Sequence, residues 1–331
     1  MKPAAESAEG FEIRPYRSGD EEAILLGFAR AFPMRRSMER WRAIYQEAPE
    51  GARIMVGWAP TGEVAAHYAA TAHRGLLGDA AVLTGHVRDV FSVPKYRSVR
   101  GGRLGVFVET GRAFYNTWGR DFCCLYGFPS RRSFRMGQLL LGYTPFSRWQ
   151  AWGLSLEGRP SAHPAPAGIV REMASFNELF DDLWRRRKAR VRLAVVRDSR
   201  FLGWRFGRAP GWPYWVWTFA SYLASAILGY VVLRPQSDKA LLVDLCLPED
   251  PRLASSFWWQ VAEKLGWRGV RAVETWLSPS APDLLALQAL GFREVPTRPD
   301  LVPCFITFQP HLSPAWIDEN FYFNMADSDL C

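Results

Sequence analysis

The stretch Val87-Arg-Asp-Val-Phe-Ser-Val-Pro-Lys-Tyr-Arg-Ser-Val-Arg-Gly-Gly-Arg-Leu-Gly105 joins an apolar, β-prone run to a turn rich in glycine and arginine, and a helix-like segment over 106–115 follows it. Successive backbone N–H groups in a glycine-containing turn that opens onto a helix N-terminus concentrate partial positive charge at one spot, which suits a pyrophosphate. Arg97, Arg100 and Arg103 could add charge-assisted bonds to phosphate oxygens. Gly101-Gly102 also reads as a plain tight turn with solvated arginines, so the glycines alone do not decide between the two.

Downstream lie a second apolar run over 122–128, then Pro129-Ser-Arg-Arg-Ser133, a short helix-like stretch, and Leu141-Gly-Tyr143. This order resembles the GNAT acyltransferase superfamily. The resemblance implies that the strand ending in Ser92-Val93-Pro94-Lys95-Tyr96-Arg97 offers its backbone at Phe91, Ser92 and Val93 to the pantetheine arm of coenzyme A. It further implies that Arg97, Arg100, Gly101, Gly102, Arg103, Leu104 and Gly105 hold the pyrophosphate, with Ser130 at the start of the next helix. Two positions depart from the family pattern: an arginine occupies the first glycine slot of the loop in either register, and Gln138 stands where many members carry a tyrosine acid.

Residues 226–233 and 240–247 read as a strand pair, 257–265 as a helix, 270–277 as a strand and 283–290 as a helix closed by Gly291-Phe292. This repeats the first pattern without an Arg/Gly loop, and with Arg197-Asp-Ser-Arg-Phe-Leu-Gly-Trp-Arg-Phe206 it resembles bacterial tandem-GNAT proteins. The expected fold is therefore α/β (α+β): two GNAT-like domains, each a mixed, mostly antiparallel twisted sheet flanked by helices. Density of Pro, Gly and Ala over 157–168 marks a linker. The expected division is a disordered lead over 1–10, an acyl-CoA-binding domain over 11–152, a linker over 153–168 and a degenerate domain over 169–331.

Within the first domain a strand is expected over 11–15, a helix capped by Asp20 over 22–32, a helix over 37–47 with Met38, Trp41, Ile44 and Tyr45 on one face, hairpin strands around Thr61-Gly62, and a strand over 81–93. The resemblance implies that the first helices border the acceptor site.

A chain of 331 residues, 48% apolar and 22% charged, is globular and long enough for two domains. Its formal charge of +8 favours a polyanionic partner, and coenzyme A is the most economical one. The run Arg185-Arg-Arg-Lys-Ala-Arg190 could touch nucleic acid or adenosine phosphates; a solvated helix end is the preferred reading, because no nucleic-acid-binding module accompanies it. Five cysteines, two of them vicinal at Cys123 and Cys124, form no disulfide framework and no metal-ligand spacing, so reduced thiols, a cytoplasmic setting and no metal are expected. The lead lacks a secretory apolar core. Residues 211–233 contain no charge, but their aromatic and β-branched content reads as two buried strands rather than a membrane helix.

The resemblance implies direct attack of an amine on a thioester carbonyl, which calls for orientation, a proton acceptor and oxyanion donors. Backbone N–H groups at 91–93 are the expected donors. Asp89 is the expected base and His86 the second candidate, and strand alternation places the two on opposite faces. Tyr126 is the candidate for thiolate protonation or acceptor binding. A pairing of Asp89 with Arg88 and a buried sheet aromatic at Tyr126 are the competing structural roles. The expected activity is N-acyl transfer from acetyl-CoA to the amine of a small molecule such as an amino sugar or amino-acid derivative. The alternatives are transfer of a longer chain from acyl-CoA or an acyl carrier protein, and a non-catalytic coenzyme-binding protein. A carboxylate of the tail over 318–329 is a further candidate for the acceptor side.

Overall fold

A computed structural model of the chain describes residues 5–6, 10–97, 105–158, 167–207, 212–222 and 226–330. It divides into two compact units: residues 1–74, 82–146 and 300–314, and residues 75–81, 147–299 and 315–331.

The sheet of the first unit runs in the order Glu12–Pro15, Ala52–Trp58, Val64–Leu77, Ala80–Ser92, Cys124–Gly127, Cys304–Ile306, Thr144–Pro145. Cys124–Gly127 lies parallel to Ala80–Ser92. A parallel neighbour needs a crossover, and the helix Val106–Trp118 supplies it. That helix sits tightly on the sheet because Gly57 has no side chain: a Cβ there would fall 2.7 Å from Thr110 Oγ1. The helices Glu21–Ala31 and Met38–Tyr45 cover one face, burying Ile24, Phe28 and Trp41 against Val56, Ala69 and Phe91. On the other face Phe114, Phe122 and Leu141 pack with Tyr68 and Ile13. Fully buried aromatics such as Trp41 and Phe114 each contribute roughly 1.5–3 kcal/mol of transfer free energy.

Two helix starts of the first unit follow local chemistry and a third departs from it. Ser37 accepts from Arg40 N (3.1 Å) and Ser130 from Ser133 N (3.3 Å), each satisfying an amide that has no partner within its helix. Asp20 is the residue before Glu21–Ala31 but makes no side-chain cap; its carboxylate is held by Arg14 at 2.7 and 3.0 Å and by Arg17 N at 2.7 Å. The bidentate guanidinium contact wins over the neutral cap bond.

The helix Arg131–Leu141 ends at Gly142, whose φ of +76° favours glycine. Beyond it Tyr143 folds back over Gly137, and its hydroxyl meets Tyr68 Oη at 2.9 Å, which in turn meets Tyr115 Oη at 2.9 Å. A Cβ on residue 137 would lie 2.2 Å from Tyr143 Cδ2. Gly137→Ala is therefore expected to displace a buried ring and destabilise the protein by about 1–3 kcal/mol in urea unfolding, despite the better helix propensity of alanine.

The second unit repeats the plan. Its sheet runs Arg293–Val295, Gln150–Ser155, Ala272–Leu277, Lys239–Cys246, Ile227–Gln236, Trp215–Ala220, Ile169–Glu172. Lys239–Cys246 and Ala272–Leu277 are parallel, joined through the helix Pro251–Trp267. The uncharged stretch forms the antiparallel pair Trp215–Ala220 and Ile227–Gln236, as its composition suggests. No described helix is long and apolar enough to cross a membrane.

The division differs from the sequence boundaries: residues 75–81 and 147–152 fall in the second unit and residues 300–314 in the first. Gln150–Ser155 spans the expected boundary at 152 and pairs along its length with Ala272–Leu277, while Cys304–Ile306 pairs with Cys124–Gly127 in the first unit. Each sheet is completed by a strand from beyond its own sequence block. The basic run at 185–190 also differs from a solvated helix end: Arg186 donates to Ile227 O (2.7 Å), Arg190 to Pro282 O (2.7 Å), and Arg187 is buried against Asp283. The tail is engaged inside the second unit: Asp318 accepts from Ser147 N (2.8 Å), and Asp327 pairs with Arg197 at 2.6 Å.

Candidate active site

Ala80–Ser92 and Cys124–Gly127 stay in register at Thr84↔Cys124, Gly85↔Leu125 and His86↔Tyr126, and the pairing stops there. Beyond His86 that edge of the first strand has no paired strand among the described residues. Asp89 then takes φ +50°, in the left-handed region that a non-glycine residue enters at a cost unless its surroundings hold it there. Alternation breaks at this point. Leu83, Val87 and Val90 all pack with the Phe114 cluster, whereas Phe91 and Val93 pack under the first two helices. Val87 and Val90 can share a face only if the strand carries one extra residue between them, a β-bulge.

The bulge corrects the alternation argument. His86 and Asp89 are not on opposite faces; both lie on the side covered by the first two helices. His86 is buried, stacked on Tyr126 with ring centroids 5.2 Å apart, and Phe128 meets both rings edge-on. Tyr126 is 1% exposed. Both are thus part of an aromatic stack at the point where the strands part.

Asp89 is engaged from more than one part of the chain. Its Oδ2 accepts from Tyr45 Oη at 2.5 Å and forms an ion pair with Arg36, whose guanidinium also lies 4.7 Å over the Phe28 ring. Its backbone carbonyl is held by His67 Nδ1 at 2.7 Å. A carbonyl only accepts, so Nδ1 carries the proton and Nε2 presents its lone pair. His67 Nε2 is buried with no hydrogen-bond partner among the described residues. The His67 ring stacks on Phe91 at 5.2 Å, and burial lowers its pKa below 6.5, so it is neutral at pH 7. Burial, followed by the charge of Asp89, pushes the Tyr45 hydroxyl well above its ordinary value and keeps it a donor.

Val93 N–H is not available to a ligand: it donates to Ala65 O at 2.9 Å. By alternation the Ser92 N–H and C=O then point to the free edge. Arg97 Nε reaches back to that Ser92 carbonyl at 3.0 Å. The side chains of Phe91 and Val93 are core, so these residues offer a ligand only backbone. Arg100, Gly101, Gly102, Arg103 and Leu104 lie outside the described residues. Gly105, extended at φ −67° and ψ 162°, leads directly into Val106–Trp118. Ser130 caps its helix, and Gln138 is exposed on it. No cluster of His, Cys, Asp or Glu able to hold a metal occurs among the described residues.

Residues 12–135 match the sequence profile of the acetyltransferase (GNAT) domain. The match covers the first part of the chain. Solved structures of similar fold include GCN5-related N-acetyltransferases from Anabaena variabilis and Kribbella flavida, at 14% and 16% identity. Each covers 89% of this chain, and 72% and 70% of its own, with a TM-score of 0.65. A conserved protein of unknown function from Enterococcus faecalis, described as a probable N-acyltransferase, covers 90% of this chain and 71% of its own at 14% identity and TM-score 0.63. Each of these fold matches extends well past the GNAT domain into the second unit. Among curated protein sequences none matches.

The contacts around Asp89 were not legible beforehand. Arg36 lies in a loop, Tyr45 belongs to an apolar helix face, and His67 sits between Ala66 and Tyr68 in a strand. The one sequence signal was an isolated imidazole in an otherwise apolar run.

Lowering the pH should reveal His67. Its folded-state pKa lies below that of the unfolded chain, so stability is full above about pH 6.5 and falls as pH drops through the window beneath it. Chemical unfolding of wild type and His67→Gln from pH 8 to 5 is expected to show about one fewer proton taken up on unfolding in the variant. Identical slopes would contradict the buried neutral imidazole.

Proposed function

We propose that the protein is an N-acyltransferase that takes an acyl group, most simply acetyl, from coenzyme A and passes it to the amine of a small molecule. The observation that carries this is the GNAT domain with a strand freed after His86 and bulged at Asp89. The arm of the coenzyme would lie along the free edge, where the Ser92 amide and carbonyl supply strand-like hydrogen bonds, and the loop at 97–105 would hold the pyrophosphate.

Asp89 is the proton acceptor in this proposal. The bulge turns its carboxylate toward the side of the first two helices, and three groups hold it there: Tyr45 on Oδ2, His67 on the main-chain carbonyl, and Arg36 as the counter-cation. An acceptor enters as an ammonium ion, a cation like the Arg36 guanidinium. The Arg36 position is therefore where the acceptor nitrogen would dock, with Arg36 swinging aside on its loop. Loss of the ammonium proton to Asp89 leaves the neutral amine to attack the thioester carbonyl; the C–N bond forms, the C–S bond breaks, and the surplus proton on the nitrogen passes to the departing sulfur, so that the amide forms neutral and the coenzyme leaves as the thiol. His86 and Tyr126 frame the place where the strands part and position the reactants rather than exchange protons.

Thioester cleavage measured against a panel of amines tests the activity. Coenzyme release that depends on an added amine supports it, and release at the same rate without any amine removes it. Arg36→Met should lower the KM for a cationic acceptor several-fold and leave the KM for acetyl-CoA unchanged.

A further inference from the structure

The helix Arg131–Leu141 buries Phe134, Gly137 and Leu141 and turns a different stripe to solvent. Arg132, Arg135, Met136 and Leu139 stand at i, i+3, i+4 and i+7, the spacing of a single helical face. All four are exposed, Leu139 by 79% and Met136 by 46%. The helix contains three arginines and no acidic residue. Arg132 and Arg135 have no ion-pair partner among the described residues. Arginine and methionine beside a projecting leucine make the composition of a binding face rather than of an ordinary solvated one.

We infer that this stripe docks an acidic, helix-bearing carrier protein that presents the acyl group on a phosphopantetheine arm. Three observations favour that occupant. The face is cationic and apolar together, which complements an acidic amphipathic helix. A second copy of this chain would bring the same arginines against each other across a twofold contact, in a chain already at +8. A lipid surface would find only two apolar side chains on an 11-residue helix whose other face is buried. Position agrees as well: the helix follows Cys124–Gly127, the strand that parts from Ala80–Ser92 after His86↔Tyr126, so an arm entering the gap passes its N-terminus. The inference rests on the acyltransferase proposal for the chemistry, and on the stripe alone for the docking.

The test compares acetyl-CoA with acetyl-loaded acyl carrier protein as donors to one amine, using wild type, Arg135→Glu and Leu139→Glu. Each variant is expected to raise the KM for the carrier about tenfold and to hold kcat/KM with acetyl-CoA within about twofold. The wild-type KM for the carrier should also rise with salt. Equal losses with both donors, no change with the carrier, or no transfer from the carrier where acetyl-CoA is used would each overturn the docking. If neither donor transfers, the acyltransferase proposal fails instead, and calorimetry of the holo-carrier decides the docking separately. Binding that Leu139→Glu abolishes retains it, and absence of binding by wild type removes it. A dimer in sedimentation, or co-sedimentation with anionic vesicles, that Leu139→Glu abolishes would assign the stripe to a second copy or to lipid and overturn it.

Discussion

Replacing Asp89 with asparagine is expected to lower kcat by roughly 10²- to 10⁴-fold, the range for loss of a positioned proton acceptor. The KM for acetyl-CoA should stay within about twofold, because the coenzyme would contact the free edge and the loop rather than this carboxylate. Asparagine is the appropriate substitution on structural grounds. Residue 89 sits at φ +50°, a conformation that Asn tolerates nearly as well as Asp, and the amide oxygen still accepts from Tyr45. The bulge therefore survives and only the proton-accepting charge is lost. Raising the pH supplies neutral amine without help from the protein, so the deficit should narrow as pH climbs toward the pKa of the acceptor. A pH-independent deficit would identify Asp89 as a structural anchor. Asp89→Ala is a poorer test, since it loses both the charge and the hydrogen-bonded turn.

The second large effect lies in the second unit. Arg197 is 4% exposed and contacts two fully buried carboxylates, Asp327 at 2.6 Å and Asp244 at 3.3 Å. Asp244 accepts from Asn324 Nδ2 at 2.7 Å and from Tyr230 Oη at 2.9 Å, while Asp327 accepts from Asn324 N at 3.0 Å. Arg197→Met keeps most of the volume and removes the cation, leaving both carboxylates without a counter-charge. Breaking a buried pair from one side costs about 3–5 kcal/mol. Urea unfolding at pH 7 is expected to show a loss of that size. Burial already raises the Asp327 pKa, against the lowering effect of Arg197. Without the arginine the folded state holds the Asp327 proton still more tightly than the unfolded chain does. The deficit is therefore largest at pH 7 and should shrink as pH falls into the carboxyl range. A deficit that stays constant from pH 7 to 4 would show that packing, not charge, is what was lost.

Much of the fold was readable from local pattern. The hairpin around Gly62, the helix face built on Trp41, and the strand pair built largely from the uncharged run at 211–233 all follow from periodicity and turn chemistry, which act over a few residues. The completing strands were not readable. Gln150–Ser155 joins the second sheet and Cys304–Ile306 the first because of long-range pairing, and neither segment carries a local mark of its partner. The bulge was missed for a similar reason. Alternation predicts sides only while a strand is regular, and the left-handed conformation at Asp89 is held by Tyr45, Arg36 and His67, which come from three other elements. The expected coenzyme motif reads as a unit because its residues are consecutive, whereas the groups around Asp89 meet only in three dimensions.

Acyl transfer from coenzyme A to an amine through the site around Asp89 can be observed directly. The most direct measurement is mass spectrometry of the protein incubated with acetyl-CoA and a mixture of small-molecule amines, with free coenzyme quantified in parallel. The expected result is an amine that gains one acetyl group for each coenzyme released, with product formation suppressed in Asp89→Asn. No acetylated amine, together with no calorimetric binding of acetyl-CoA, would contradict it.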